Sequence, residues 1–186
     1  MNKIKQLIEQ TQAGSMEAYG ELYEITVEDV YKTVRLLMGN ASETDDIVQD
    51  TYLQAHRSLD KYNPTRPFHA WLMGIAMKQV QTCRRKKWKY WRLIERAQTL
   101  KAIQADFSIE LTDKMSHQPL IHKVDRLPFK LRQVIILHYF NQYSQEEISV
   151  LLNLPLGTVK SRIHAGLTKL RKKHLLFNST LRKVED

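Results

Sequence analysis

The sequence predicts an all-α protein of two small helical domains joined by a flexible linker, the second of them a helix-turn-helix domain. Glycine and proline are scarce, at 6 and 5 of 186 residues, which argues against a β-sandwich, a collagen-like repeat and a disordered tail. Apolar residues recur at helical spacing along most of the chain. Capping and breaking residues divide these segments into helices. A chain of this length accommodates one ordinary domain or two small ones.

The first predicted domain, residues 1–92, begins with two helices. Gly14-Ser15 separates a short first helix from a second one over about Met16 to Met38. Gly39-Asn40 closes the second helix, because glycine adopts a left-handed conformation at no steric cost.

A third helix follows directly. Ser42 is the expected N-cap, with Asp45 and Asp46 in the first turn, where the helix dipole favours acidic side chains. The apolar positions that recur at helical spacing are Val48, Tyr52, Ala55 and Leu59.

Tyr62 to Pro67 is predicted as a loop, because its two prolines restrict the preceding residues and remove hydrogen-bond donors. A long helix is expected from about Phe68. Between 93 and 118 no apolar face repeats, which predicts the linker. The second domain is predicted over 119–176, followed by a C-terminal tail over 177–186.

The second domain carries the strongest local signal, at residues 144–173. Helices are expected near Pro119 and from Pro128, and then Ser144 with Glu147 forms the Ser-x-x-Glu pattern of a capping box. Residues 153–157 (Asn-Leu-Pro-Leu-Gly) form a break that a helix interior does not tolerate. The residues expected to face inward on the two helices around this break are Ile148, Leu151, Leu152, Val159, Ile163, Leu167 and Leu170.

Two short helices joined by such a turn, with Thr158 as the cap of the second, predict a helix-turn-helix whose second helix enters the major groove of DNA. Lys160, Ser161 and His164 face outward near the start of that helix, where they can form hydrogen bonds with base edges. Cations better placed for phosphates are Arg162, Lys169, Arg171, Lys172 and Lys173. The alternative is a surface helix hairpin with a solvated basic face.

The charge balance also favours nucleic acid. Lys and Arg number 29 against 20 Asp and Glu, which gives a net charge of +9. Residues 81–96 join a basic cluster to Trp88, Tyr90 and Trp91, a combination suited to unstacked single-stranded bases. Two alternatives stay open for this segment, since aromatic residues also fill cores and basic amphipathic helices also lie on membrane surfaces.

An acidic cluster at Glu43, Asp45, Asp46 and Asp50 stands out in this basic chain. A metal-dependent nuclease that used these carboxylates would be an enzyme, but no histidine accompanies them and no glycine loop or nucleophile–base pair appears elsewhere. Neither a catalytic residue, a metal site nor a cofactor is therefore expected.

The single cysteine, Cys83, excludes a disulfide framework and a cysteine-based zinc site, and it fits a reducing compartment. No segment approaches the roughly 18–20 apolar residues of a membrane span. The amino terminus also lacks the apolar stretch of a signal peptide. We therefore expect a cytoplasmic protein without membrane insertion.

Three motifs together carry a family resemblance. Residues 41–56 (ASETDDIVQDTYLQAH) resemble part of region two of bacterial extracytoplasmic-function (ECF) sigma factors, of the sigma-70 superfamily. Residues 68–72 (FHAWL) with Gly-Ile-Ala at 74–76 resemble the next stretch of that region. Residues 144–171 resemble region four, including the Gly-Thr-Val-Lys-Ser-Arg run at 157–162.

The resemblance implies an alternative sigma factor that binds core RNA polymerase, recognises two promoter elements and initiates transcription of a stress or envelope-related regulon. It implies that the acidic helix contacts a coiled coil of the largest polymerase subunit through Asp46, Gln49 and Asp50, with Ile47 packed beneath them. An anti-sigma factor is a further implied partner.

The resemblance also assigns the DNA contacts. Residues implied for the single-stranded minus-ten element are Tyr62, Arg66, Trp71, Lys78, Arg84, Arg85 and Trp88. Residues implied for the duplex minus-thirty-five element are Thr158, Lys160, Ser161, Arg162, His164, Lys169 and Arg171.

This chain departs from the family pattern at two positions of the long helix. Lys78 stands where the family usually carries Asn, and Thr82 stands where an acidic or amide residue is common. Either the minus-ten preference differs, or phosphate attraction replaces part of the base recognition. A stand-alone helix-turn-helix regulator is the alternative function, although it gives the acidic helix and the aromatic-basic segment no role.

Overall fold

The computed structural model describes residues 2–97 and 118–182, with side chains over 3–94 and 121–171. The chain divides into two compact units, Met1–Leu111 and Thr112–Asp186. All regular structure in the described residues is helical, which confirms the predicted fold class. The predicted linker, 93–118, lies largely outside the described residues, and the domain limits of the sequence analysis stay predictions.

Unit 1 is a helical bundle whose helices follow each other with short connections. Its elements are α1 (Asn2–Gln12), α2 (Met16–Met38), α3 (Ala41–Ser58), a single 3-10 turn (Leu59–Lys61) and α4 (Phe68–Ala97). Helices α2, α3 and α4 pack against one another, and α1 packs on α2.

Local signals explain the helix limits in unit 1. The Ser15 side chain accepts a hydrogen bond from the Ala18 N–H at 3.2 Å, which caps α2 at the predicted position. Gly39 ends α2 with φ 77°, as predicted. The predicted cap of α3 is wrong: Asn40, two residues before Ser42, accepts from the Glu43 N–H at 3.3 Å, and so Glu43 occupies the first turn.

The core of unit 1 lies between α2, α3 and the first half of α4. Val48, Tyr52, Ala55 and Leu59 are buried, as their spacing predicts. The fully buried residues of α2 and α4 that face them include Leu22, Val34, Leu37, Leu72, Ala76, Met77 and Val80.

Helix α4 extends far beyond this core. Val80 is the last buried residue among the described side chains of α4, and between 81 and 94 each side chain is half-buried or exposed. At 1.5 Å per residue, the stretch from 81 to 94 is about 20 Å long.

Unit 2 contains the elements α5 (Gln118–Asp125), α6 (Phe129–Ile135), α7 (Gln145–Leu152) and α8 (Leu156–Arg182). Helix α6 continues into a π turn over Ile136–Phe140, in which the Asn141 N–H donates to the Ile136 carbonyl at 3.2 Å. Pro128 lies just outside α6, as its N-cap rather than its first residue.

The predicted helix-turn-helix is present over α7 and α8. Ser144 and Glu147 form both hydrogen bonds of the capping box, at 3.1 and 2.8 Å. Asn153 ends α7 in the left-handed conformation, with φ 51°. The predicted cap at Thr158 is wrong, because α8 begins at Leu156 and the Pro155 carbonyl accepts from the Thr158 and Val159 amides.

The core of unit 2 brings α8 onto α6. Ile148, Leu152, Val159 and Ile163 are buried as predicted, whereas Leu151, Leu167 and Leu170 are only half-buried. Glycine at 166 permits a close approach, since a Cβ there would lie 2.9 Å from Cγ1 of Ile135. The contact fixes α8, and therefore its outward face, against α6.

Candidate protein and nucleic-acid interfaces

The acidic residues of α3 divide into two groups. Glu43 forms an ion pair with Lys87 of α4. Asp45 is exposed, and burial together with the Asp45 carboxylate raises the pKa of the Tyr31 hydroxyl of α2. Asp46 and Asp50 are exposed, and neither forms an ion pair with any other part of the chain that the structure describes.

The outward group coincides with the predicted polymerase-contact residues. Asp46, Gln49 and Asp50 are three and four residues apart, so their side chains share one exposed face of α3. Ile47 is buried beneath this face, at 3% exposure. An exposed pair of carboxylates on a rigid helix suits a basic protein partner, because opposite charge gives association its speed and register.

An apolar groove, which the sequence analysis missed, runs between α2 and α3 beside this face. Its volume is about 440 Å³, and its lining includes Met16, Tyr23, Tyr52 and Leu53 together with Gln49. Tyr23 of α2 and Leu53 of α3 both line this groove. In the apolar pattern of its own helix, each of them lies at a surface position. Only the packing of α2 on α3 brings them together.

The groove floor is held by two tyrosine hydroxyls. Tyr19 donates to the Tyr52 carbonyl, and the Tyr52 and Thr26 hydroxyls lie 2.7 Å apart. Burial raises the pKa of Tyr19 to about 12, and it also raises the pKa of Tyr52.

The predicted minus-ten residues begin with an aromatic cluster at the loop before α4. Tyr62 and Trp71 lie 5.2 Å apart between ring centroids, and Phe68 lies 5.6 Å from each of them. The Tyr62 hydroxyl donates to the carbonyl of Arg66, whose side chain is exposed. Phe68 is buried core, whereas Trp71 is half-buried and therefore partly accessible from outside.

A polar stripe continues from Trp71 along the solvent face of α4. Counted from Trp71, the next members of the stripe follow after seven, four, three and four residues, a spacing that keeps them on the same side of the helix. They are Lys78, Thr82, Arg85 and Lys89. Lys78, Arg85 and Lys89 are exposed. Arg85 Nη2 donates to Thr82 Oγ1 at 3.4 Å, so the unusual threonine contacts a cation of the stripe.

The remaining predicted minus-ten residues lie off this stripe. Trp88 is 62% exposed at its border, and the Arg92 guanidinium lies 4.3 Å from its ring centroid. Half-buried Arg84 lies about a third of a turn away, towards the flank that carries Lys87. The structure therefore brings Tyr62, Trp71 and the stripe together, and it separates Arg84 from them.

The predicted minus-thirty-five residues lie on α8. Lys160, Ser161 and His164 are exposed on the face opposite buried Val159 and Ile163. Arg171 is exposed on that face about 10 Å beyond His164 along the helix. Arg162 and Lys169 lie on the other flank, half-buried and exposed respectively.

The predicted DNA contacts on α8 also include Thr158, Lys172 and Lys173. Thr158 is half-buried inside the first turn of α8, and its carbonyl accepts from Ser161 Oγ at 3.0 Å. The side chains of Lys172 and Lys173, which the sequence analysis named as phosphate contacts, lie outside the described residues. The first turns of α8 thus present an ammonium, a hydroxyl and an imidazole, which suits recognition of base edges in a major groove.

Metal and thiol chemistry have little support. Among the described residues, no three His, Cys, Asp or Glu side chains gather in a way that would hold a metal ion. Burial and the neighbouring Glu43 carboxylate raise the pKa of the Cys83 thiol, which lowers its thiolate fraction and its reactivity.

None of the helices over 2–97 and 118–182 combines the length and apolar content that a bilayer crossing needs.

Sequence comparisons match both units. Residues 22–90 match the family Sigma-70 region 2, and residues 117–170 match Sigma-70, region 4. The chain is 33% identical to the ECF RNA polymerase sigma factor SigW of Bacillus subtilis (strain 168) over 183 residues, covering 91% of this chain and 95% of that protein. It is 28% identical to the ECF RNA polymerase sigma-E factor of Escherichia coli (strain K12), covering 84% of this chain and 86% of that one.

Solved structures share the fold. RpoE of Bartonella quintana, in complex with the anti-sigma factor NepR, matches with a TM-score of 0.67 at 18% identity, covering 84% of this chain and 96% of RpoE. CnrH, in complex with the cytosolic domain of CnrY, matches with a TM-score of 0.65 at 23% identity, covering 95% of this chain and 98% of CnrH.

Proposed function

Because this chain belongs to the ECF RNA polymerase sigma factors of the sigma-70 family, we propose that it binds core RNA polymerase and directs it to promoters. The observation that carries the proposal is the order of the two matches, region 2 at 22–90 and region 4 at 117–170. A stand-alone helix-turn-helix regulator would account for the second match and leave the first without a role. The chain acts as a transcription initiation factor and catalyses no reaction itself.

The polymerase contact is assigned to the exposed face of α3. Asp46, Gln49 and Asp50 are the proposed contact residues, because their side chains are exposed on one face of α3 while Glu43 is paired with Lys87 of α4. The proposed partner surface is the coiled coil of the largest subunit, which must be basic where it meets these carboxylates.

Promoter recognition is divided between the two units. In unit 1 the aromatic cluster receives a flipped, unpaired base of the minus-ten element, and the cations of the α4 stripe hold the adjacent phosphates. The proposed minus-ten residues are Tyr62, Arg66, Trp71, Lys78, Arg84, Arg85 and Trp88. In unit 2 the first turns of α8 enter the duplex major groove at the minus-thirty-five element, and the proposed contacts are Thr158, Lys160, Ser161, Arg162, His164, Lys169 and Arg171.

We further propose an anti-sigma factor as a regulatory partner, since RpoE, a protein of the same fold, binds the anti-sigma factor NepR. The proposed place of action is the cytoplasm, where polymerase and promoter DNA are found.

Reconstituted transcription tests this function. Core polymerase with and without the purified chain is incubated with a genomic promoter library, and the transcripts are sequenced. We expect a defined set of start sites that depends on the chain, and only weak binding to duplex promoter when polymerase is omitted. A tight footprint of the chain alone at one operator, with no new start sites, would refute the sigma-factor function in favour of a stand-alone regulator.

A further inference from the structure

Lys87 belongs to the densest basic run of the chain, Arg84 to Lys87, and its sequence position is typical of a phosphate contact. Its ammonium instead pairs with Glu43 at the start of α3. The Lys87 and Glu43 side chains are 38% and 22% exposed, so the pair lies at the edge of the interface between the two helices.

The Glu43 carboxylate depends on this partner. Its second oxygen, Oε2, is buried and accepts no hydrogen bond from the residues that the structure describes. A carboxylate that is partly withdrawn from water requires a counter-charge, because an uncompensated charge at such a position is costly. Cys83, one turn before Lys87, lies on the same flank of α4, and burial together with the nearby Glu43 carboxylate raises the pKa of its thiol.

The pair lies where α4 has left the core. Beyond Val80 each described side chain of α4 is half-buried or exposed, so burial contributes little to the direction of this half of the helix. The same half carries Arg85 and Lys89 of the proposed DNA stripe. Glu43 belongs to the first turn of α3, three residues before the proposed polymerase contact Asp46.

We propose that Lys87 is a positioning residue for promoter opening rather than a DNA contact: its ion pair with Glu43 holds the DNA-binding half of α4 in a fixed direction relative to the polymerase-binding face of α3. The inference rests on the proposed function. It explains why one cation of the basic run faces away from the stripe, and it makes the geometry between the two binding faces a determinant of how fast the holoenzyme opens DNA.

The test uses holoenzyme reconstituted from core polymerase and full-length variants. The opening rate is measured from the fluorescence of 2-aminopurine placed in the minus-ten element, and the salt slope is measured for binding of the single non-template strand. Lys87→Met and Glu43→Gln should each slow opening by about threefold, as expected for a partly exposed ion pair. The double variant should be no slower than either single variant, and the salt slope should stay that of the wild type.

Two further variants complete the test. Lys89→Met, on the stripe, should lower the salt slope by about 0.7, the contribution of one phosphate on a single strand. Holoenzyme with Lys87→Glu and Glu43→Lys combined should open DNA faster than holoenzyme with either reversal alone, because the reversed charges can pair again. This comparison remains valid even where a single variant folds poorly.

Provided that the wild-type chain supports transcription, two results would overturn the inference. One is a lowered salt slope in Lys87→Met with no effect of Glu43→Gln on the opening rate. The other is that the losses of opening rate in the two single variants add up in the double variant and that the reversed pair does not restore the rate. Failure of the wild-type chain to support transcription would count against the proposed function instead.

Discussion

Reversing the charge at Asp50 addresses the proposed polymerase face most directly. Asp50 is exposed in the middle of α3, one turn after Asp46. In Asp50→Lys the introduced ammonium lies four residues from Asp46, an arrangement that adds about 0.3 kcal/mol to an isolated helix, so folding should not suffer.

The expected loss follows from this exposure. An exposed ion pair contributes roughly 0.2–1 kcal/mol, and reversal replaces that attraction by a repulsion of similar size. We therefore expect core polymerase to bind Asp50→Lys about 1 kcal/mol more weakly, roughly a fivefold loss of affinity. Raising the salt concentration should shrink the difference, because exposed charges are screened.

The assay is competition against fluorescently labelled wild-type chain for a limiting amount of core polymerase. Glu24→Lys provides the matched control, since it makes the same change of charge at an exposed position of α2 and should leave the affinity unchanged. Binding of the variant to a duplex minus-thirty-five oligonucleotide and its thermal unfolding should both match the wild type. The assignment of this face would be refuted if Asp50→Lys bound polymerase as tightly as the wild type, or if Glu24→Lys lost as much affinity as Asp50→Lys.

Three further predictions concern DNA recognition and stability. Lys160→Ala should relax the choice of base at one minus-thirty-five position by roughly 1–3 kcal/mol, and a uniform loss across a set of mutated promoters would mark Lys160 as a phosphate contact instead. Ser144→Ala removes the N-cap of α7 and should destabilise unit 2 by about 1 kcal/mol in denaturant unfolding; an unchanged midpoint would show that Glu147 alone maintains the helix start. Burial raises the pKa of Tyr19 from 10.0 to about 12, so its contribution to stability is complete below pH 10 and is lost as the pH rises towards 12. Unfolding curves across that range should show a smaller loss of stability in Tyr19→Phe than in the wild type, and parallel losses would contradict the shift.

Local signals in the sequence determine much of unit 1. Helix α2 begins and ends at the predicted residues because Ser15 and Gly39 act on their own neighbours, without help from the rest of the fold. Two predicted caps lie too late in the chain: Ser42 comes two residues after the observed cap Asn40, and Thr158 comes three residues after Pro155, which precedes α8. At both helix starts, several neighbouring residues could serve as the N-cap or as the first helical residue. Which of them does so depends on the path of the chain before the helix.

Features that join distant segments could not be predicted from the sequence. The division of the acidic cluster depends on Lys87 and Tyr31, which lie on other helices, so charge patterning alone gave Glu43 and Asp50 the same weight. The α2–α3 groove likewise needs two surfaces to meet. By contrast, the outward position of Lys160 and His164 follows from helical spacing, and the prediction that they face away from the core is confirmed.

The long overhang of α4 has a consequence for how this protein can change. The described side chains after Val80 add little to the core, so substitutions there should affect the proposed promoter contacts far more than the folding of the chain. A library randomised at exposed positions of this half, such as Arg85 and Lys89, should therefore remain largely folded. On the proposed function, the promoter preference of this chain can change at little cost to its stability.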